Sequence, residues 1–187
     1  MHRVILMGPP GAGKGTQGEI LAQEWQVPRI APGDIFRAEI KNHTPLGQKV
    51  KSYSDAGLLV PDEVVIEVMR DRLTREDAQK GWVLDGFPRT VPQAEALAAL
   101  LQELQQPCDR VINLTVPEDI LLARLKQRAV ELGRADDTEE VIQARLTEYH
   151  QKTFPLLEFY GEQVTHVDGT PSLAEVTQAL HAAMGDR

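Results

Sequence analysis

The chain has 187 residues, a formal net charge of −8 and a single cysteine. That length suits one domain able to bury about 70 % of its unfolded surface. The acidic balance argues against a broad nucleic-acid or anionic-membrane surface, and one thiol, Cys108, excludes an internal disulfide and a cysteine-rich zinc site. The first predicted element is the apolar run Val4–Met7, a short buried strand. It stops at Gly-Pro-Pro, too early for a signal peptide or a membrane span. Gly8-Pro9-Pro10-Gly11-Ala12-Gly13-Lys14-Gly15-Thr16 follows, and then Ile20, Leu21, Ala22 and Trp25 at the spacing of a buried helix face. Strand, glycine-rich turn and helix form the setting of a phosphate-binding loop. Its backbone N–H groups curl round an anion, the helix N-terminus faces the same charge, and Lys14 reaches the outer phosphates. The general pattern places a hydroxyl directly after the lysine, whereas here Gly15 stands there and Thr16 comes one place later.

A shorter strand is expected near Val27–Ile30, and residues 31 to about 60 interrupt the alternation of strands and helices. Within them Pro32–Arg37 reads as a turn feeding a helix, Gly57 suits a helix C-terminus, and Pro61 with Asp62 opens the next helix. Trp82–Leu84 is a strand ending at Asp85, whose carboxylate suits a magnesium ion or its waters. The turn Gly86–Arg89 holds a guanidinium able to grip a phosphate with two hydrogen bonds. Ala94, Leu97, Leu100, Leu101 and Leu104 mark a helix, Val111–Leu114 a strand, and Ile120 to Arg128 a helix that carries Arg124 and Arg128 on one face. A polar stretch, Leu132–Asp137, precedes a helix over Val141–Tyr149, and Val164–Val167 is the last strand. The alternation predicts an α/β fold with a parallel sheet flanked by helices, its ligand beyond the carboxyl ends of the strands. Cys108, with no activating neighbour, reads as packing, and a reducing cytoplasmic setting is expected.

These residues resemble the adenylate kinase family nearly end to end. The likeness is carried by GPPGAGKGTQ (Gly8–Gln17), GDIFR (Gly33–Arg37), AGLLV (Ala56–Val60) and LDGFPRTVPQ (Leu84–Gln93). It continues in VPEDILLARLKQR (Val116–Arg128), GRADD (Gly133–Asp137), Arg145 and VDGT (Val167–Thr170). The Gly15 departure is itself the family's habit. The resemblance implies a P-loop kinase core with five parallel strands, a nucleotide-monophosphate segment at 31–60 and a short lid at 127–137, the form without zinc cysteines. It implies that Gly11, Ala12, Gly13, Lys14, Gly15 and Thr16 hold the phosphates of ATP, with Arg124, Thr170 and Pro171 near its adenine and Arg128 on its phosphates. Arg37 and Arg89 would grip the phosphate of AMP, and Arg134 and Arg145 span the transferring group. Gln93 would read the acceptor base, lined by Pro32, Leu58, Leu59 and Val60 and by the turn Gly86, Phe87, Pro88. Pro32 departs from the Thr or Ser usual in the family.

The implied enzyme is a magnesium-dependent ATP:AMP phosphotransferase. Its partners are ATP, AMP and ADP, without nucleic acid or membrane, and it acts as a monomer. An ionised acceptor phosphate needs no general base, so positioning and positive charge carry the chemistry. A UMP/CMP kinase on the same scaffold is the nearest alternative. A P-loop regulatory NTPase is a more distant one, and the sequence has no Asn-Lys-x-Asp guanine motif.

Overall fold

A computed structural model describes residues 2–132 and 138–185. Five parallel strands, β1 (Arg3–Met7), β2 (Arg29–Ile30), β3 (Trp82–Asp85), β4 (Arg110–Thr115) and β5 (Val164–Asp168), form one sheet in the order β2-β3-β1-β4-β5. β1 lies at its centre, with Ile5 in register with Leu84 on one side and Val111 on the other. A parallel sheet is covered on both faces, so its central strands are apolar throughout, and all of β3 is buried. Alternate residues of β1 feed different layers. Ile5 and Met7 pack with Met69, Trp82, Leu84 and Leu97, whereas Val4 and Leu6 pack with Leu21, Val83, Leu114 and Leu125. Trp82 satisfies its buried indole by donating to Gln106 Oε1 at 2.9 Å.

The helices are α1 (Lys14–Trp25), α2 (Pro32–Lys41), α3 (Pro45–Ala56), α4 (Asp62–Leu73), α5 (Val91–Glu103), α6 (Glu118–Leu132), α7 (Glu139–Glu148), α8 (Pro155–Tyr160) and α9 (Leu173–Met184), and a π-helical turn, Tyr149–Thr153, follows α7. Residues 31–60 are chiefly the hairpin α2–α3. Thr44 caps α3 by accepting from Gly47 N–H, and Gly57 ends it in the left-handed region at φ 70°. The close approach of α2 and α3 depends on Gly47, where an added Cβ would stand 2.1 Å from Glu39 O.

The expected strand at 27–30 is shorter in the structure. Val27 N–H turns back to Ala22 O at 3.0 Å, and Pro28 has no N–H to give to a ladder. Of the expected lid, residues 127–132 are the end of α6, and 133–137, with Arg134, lie outside the described residues. Cys108 is partly buried, with its thiol pushed up to about 12, chiefly by burial. Among the described residues no helix is long and apolar enough to cross a membrane.

Candidate active site

The carboxyl ends of the strands open into a cleft of about 860 Å³. The turn from β1 to α1 forms its floor. Gly8, Gly11 and Gly13 take φ of 138°, 84° and 98°, which only glycine adopts without strain. At Gly8 the close approach is also required, because a Cβ there would lie 2.7 Å from Leu114 O. Lys14 Nζ donates to Gly8 O at 2.8 Å and Pro9 O at 2.9 Å, which holds the ammonium over the loop. Burial lowers its pKa to about 8; Asp85 opposes the shift, while Arg89, Arg128 and Arg29 reinforce it. The same balance acts on Arg89. Burial pulls it below the ordinary guanidinium value against Asp85, and Arg145 and Arg37 add to the fall. In a chain of net charge −8, cations from α1, α2, α6, α7, β2 and the loop after β3 thus meet in one place, an anion site built against the global field.

The β3 side carries Asp85, Arg89 and Gln93. Asp85 is 8 % exposed, and Arg29 Nε and Nη2 donate to its Oδ2 at 3.1 and 2.6 Å. Arg89 is braced by its own turn, its Nε donating to Gly86 O at 2.8 Å. Gln93 is 1 % exposed; its Oε1 accepts from Arg89 N–H at 2.8 Å and its Nε2 donates to Asp62 Oδ1 at 2.8 Å. Thr90 caps α5 and donates to the same Asp62 oxygen at 2.9 Å. An amide has two N–H groups and two lone pairs on oxygen, so the pair of bonds that fixes Gln93 leaves one of each for a ligand. Pro32, Arg37, Leu58, Leu59, Val60, Gly86 and Pro88 also border the cleft. Phe87 does not: it is 2 % exposed and packs in the core. Leu59 N–H donates to Glu148 Oε2 at 3.2 Å, tying the end of the α2–α3 hairpin to α7.

On the β4 side, Gly11 to Thr16, Arg124, Arg128 and Pro171 border the cleft, and Arg145 enters it from α7. Arg124 Nη2 donates to Gly169 O at 2.9 Å and Thr170 O at 3.3 Å, so its guanidinium fixes the loop after β5. Thr170 itself is exposed and does not line the cleft; its carbonyl accepts from Arg124, and its N–H donates to Asp168 Oδ1 at 2.8 Å. Gln17 closes the phosphate-loop motif, but the motif gave no notice of its role: it is 2 % exposed and joins α1 to α9 through Leu173 O and the Thr177 hydroxyl. Nor did the motifs single out Arg29 or Glu148, and Asp62 stood out only as a helix start.

Both hydrogen bonds to Asp85 fall on Oδ2. The carboxylate therefore keeps Oδ1 for a hard cation or its waters, which fits magnesium held mainly by phosphate oxygens and water. Among the described residues no group of three or more His, Cys, Asp and Glu side chains could hold a metal by itself.

A phosphate loop and convergent guanidinium groups beyond a parallel sheet define a P-loop phosphotransferase. The adenylate kinase family model matches residues 6–165. Over 182 residues the chain is 54 % identical to an adenylate kinase of Cyanothece sp., covering 96 % of this chain and 93 % of that one. It is 50 % identical to an adenylate kinase of Leptospira biflexa over 96 % of this chain and 98 % of the other. To adenylate kinase 1 of Nostoc sp. it is 48 % identical over 99 % and 100 %. The chain belongs to the adenylate kinase family.

Proposed function

We propose that this chain catalyses reversible, magnesium-dependent phosphoryl transfer from ATP to AMP, giving two ADP. The observation that carries the reading is the convergence on one cleft of Lys14, Arg128 and Arg124 from the donor side with Arg37, Arg89 and Arg145 from the acceptor side. A switch NTPase has no use for cations at both ends of a phosphate chain.

In this reading Gly11 to Thr16 and Lys14 cradle the donor phosphates, and Arg124, Thr170 O and Pro171 border the donor base. Arg37 and Arg89 take the acceptor phosphate, and Arg128, Arg145 and Arg134 neutralise charge on the transferring group. Phe87 acts from the core by shaping the turn that presents Arg89. Transfer through a loose transition state needs alignment and fixed positive charge on the equatorial oxygens. Arg89, already bonded to Gly86 O, loses little freedom when it engages phosphate. Bound Mg²⁺ would neutralise phosphate charge, with Asp85 Oδ1 receiving the ion's waters. Asp85→Asn should therefore weaken the magnesium dependence of the rate. Water competes with the acceptor, so the cleft must exclude it. Glu148 serves that end by holding Leu59 against α7, with residues 31–60 acting as a moving piece.

The remaining donor and acceptor positions on Gln93 suit N1 and the 6-amino group of adenine. An acceptor panel of AMP, GMP, UMP and CMP at fixed Mg-ATP tests the assignment. AMP should give the highest kcat/KM, and equal or better use of UMP or CMP would point to the pyrimidine kinase instead. The lone partly buried thiol suits a reducing cytoplasm, and a monomer suffices because one chain supplies both halves of the cleft.

A further inference from the structure

Arg29 belongs to no motif, yet it binds two acidic side chains of the cleft, Asp85 and Asp34. Its Nε and Nη2 sit on Asp85 Oδ2, at 3.1 and 2.6 Å, and its Nη1 on Asp34 Oδ2 at 2.7 Å. The second oxygen of Asp34 accepts from Arg37 Nη2. Asp85, Arg29, Asp34 and Arg37 therefore form one alternating line of charge. It is buried at the Asp85 end, with that side chain 9 % exposed, and open at the Arg37 end, 36 % exposed. Glycines give Arg29 its path. A Cβ on Gly15 would lie 3.2 Å from Nη2, and one on Gly18 would lie 3.3 Å from Cδ. The guanidinium thus fills the space in front of the residue that follows Lys14.

We infer that Arg29 is a positioning residue for acceptor capture: by holding the other oxygen of Asp34 it keeps that carboxylate paired when Arg37 leaves it, and so lets Arg37 exchange Asp34 for a phosphate monoester. The inference rests on the proposed role of Arg37 as a ligand of the AMP phosphate. With Arg29 present, Asp34 stays paired when Arg37 moves to the phosphate. With Arg29 gone, the same movement strands a carboxylate beside a dianion, and like charges at that distance repel. Burial alone would raise the Asp34 carboxyl, but the hydrogen bonds and charges of Arg37 and Arg29 outweigh it and hold the group below the ordinary carboxylate range. Lysine could not substitute, because a single ammonium cannot span two carboxylates as a planar fork does.

The test is the dissociation constant of AMP, measured by calorimetry on the full chain without ATP or magnesium. Arg29→Gln should weaken AMP about tenfold, and adding Asp34→Asn to it should restore most of that loss, a coupling that independent sites do not show. Unchanged affinity in Arg29→Gln, or a loss that Asp34→Asn fails to relieve, overturns the inference. Arg37→Met separates this result from failure of the underlying role. If AMP binds Arg37→Met as tightly as the parent, the acceptor assignment itself falls; if it binds weakly while the Arg29 and Asp34 effects simply add, only the inference falls. Thermal denaturation establishes that each variant folds. Should Arg29→Gln not fold, Arg29→Lys with and without Asp34→Asn gives the same comparison, with a smaller initial loss expected.

Discussion

Lys14 works at the edge of its own ionisation. Its pKa of about 8 lies below the ordinary 10.5, so between those values the unfolded chain binds more protons than the folded one. Stability from this group therefore rises with pH through that window, as the cost of burying the charge is relieved. Nucleotide binding has the opposite sign, because a polyphosphate favours the ammonium. ATP binding should take up a proton above pH 8 and weaken as the pH climbs further. Calorimetry in two buffers of different ionisation heat would measure the uptake. Lys14→Met should abolish it and lower kcat by orders of magnitude with the circular dichroism of the parent. Gln93 makes a different case, since its amide is a brace as well as the proposed ligand of the acceptor base. Gln93→Leu should lower kcat/KM for AMP and leave KM for ATP near its parent value. Arg89 N–H loses its partner as well, and Asp62 loses one of its two, so a stability loss of about 1–3 kcal/mol should appear in denaturant unfolding.

At the scale of elements, the α2–α3 hairpin depends on a glycine contact and a capping hydroxyl. Gly47→Ala would drive a Cβ into Glu39 O, 2.1 Å away, and Glu39 C, 2.4 Å away. Backbone cannot yield as a side-chain tip can, so the helices must part, at a cost of about 1–3 kcal/mol. The expected signature is a higher KM for AMP with the ATP constant little moved, and faster hydrogen exchange across α3. Much of this was legible beforehand. The phosphate loop, the Asp85–Arg89 turn, Gly57 and the Asp62 helix start are local patterns whose chemistry is written within a few residues. Arg29, Glu148 and the bracing role of Asp62 were not legible, because they act on partners 56, 89 and 31 positions away, and spacing along a chain does not encode such meetings. Phe87 shows the reverse failure. Its motif was visible, but the sequence does not say which side of the turn faces the core. The shortening of β2 came from Val27, whose N–H closes α1 instead of joining the sheet.

For the molecule as a whole, the strand order β2-β3-β1-β4-β5 carries a consequence for the proposed reaction. Strands β2 and β3 lead into Arg37, Arg89 and Gln93, the proposed acceptor set; β4 and β5 lead into Arg124, Arg128 and Pro171, the proposed donor set; β1 leads into the loop between them. At about 4.8 Å per strand, the sheet would then lay the reactants out in sequence across its width, and the phosphoryl group would travel sideways over the end of β1. Strand order then serves as an axis of transfer, and kinetic constants should sort along it. Substitutions reached from β2 or β3 should change the AMP constant, those reached from β4 or β5 the ATP constant, and those in the β1–α1 loop both. Helix α7 is the informative exception. It follows the donor half in the chain, yet it holds Leu59 of the acceptor half through Glu148, so Glu148→Ala should raise the AMP constant from the wrong side of the sheet. Steady-state KM values for both nucleotides over such a set would draw the axis directly, and variants scattered without regard to strand position would erase it. If it holds, the acceptor can be re-specified by changing half a sheet's worth of loops while the donor half is left as it stands.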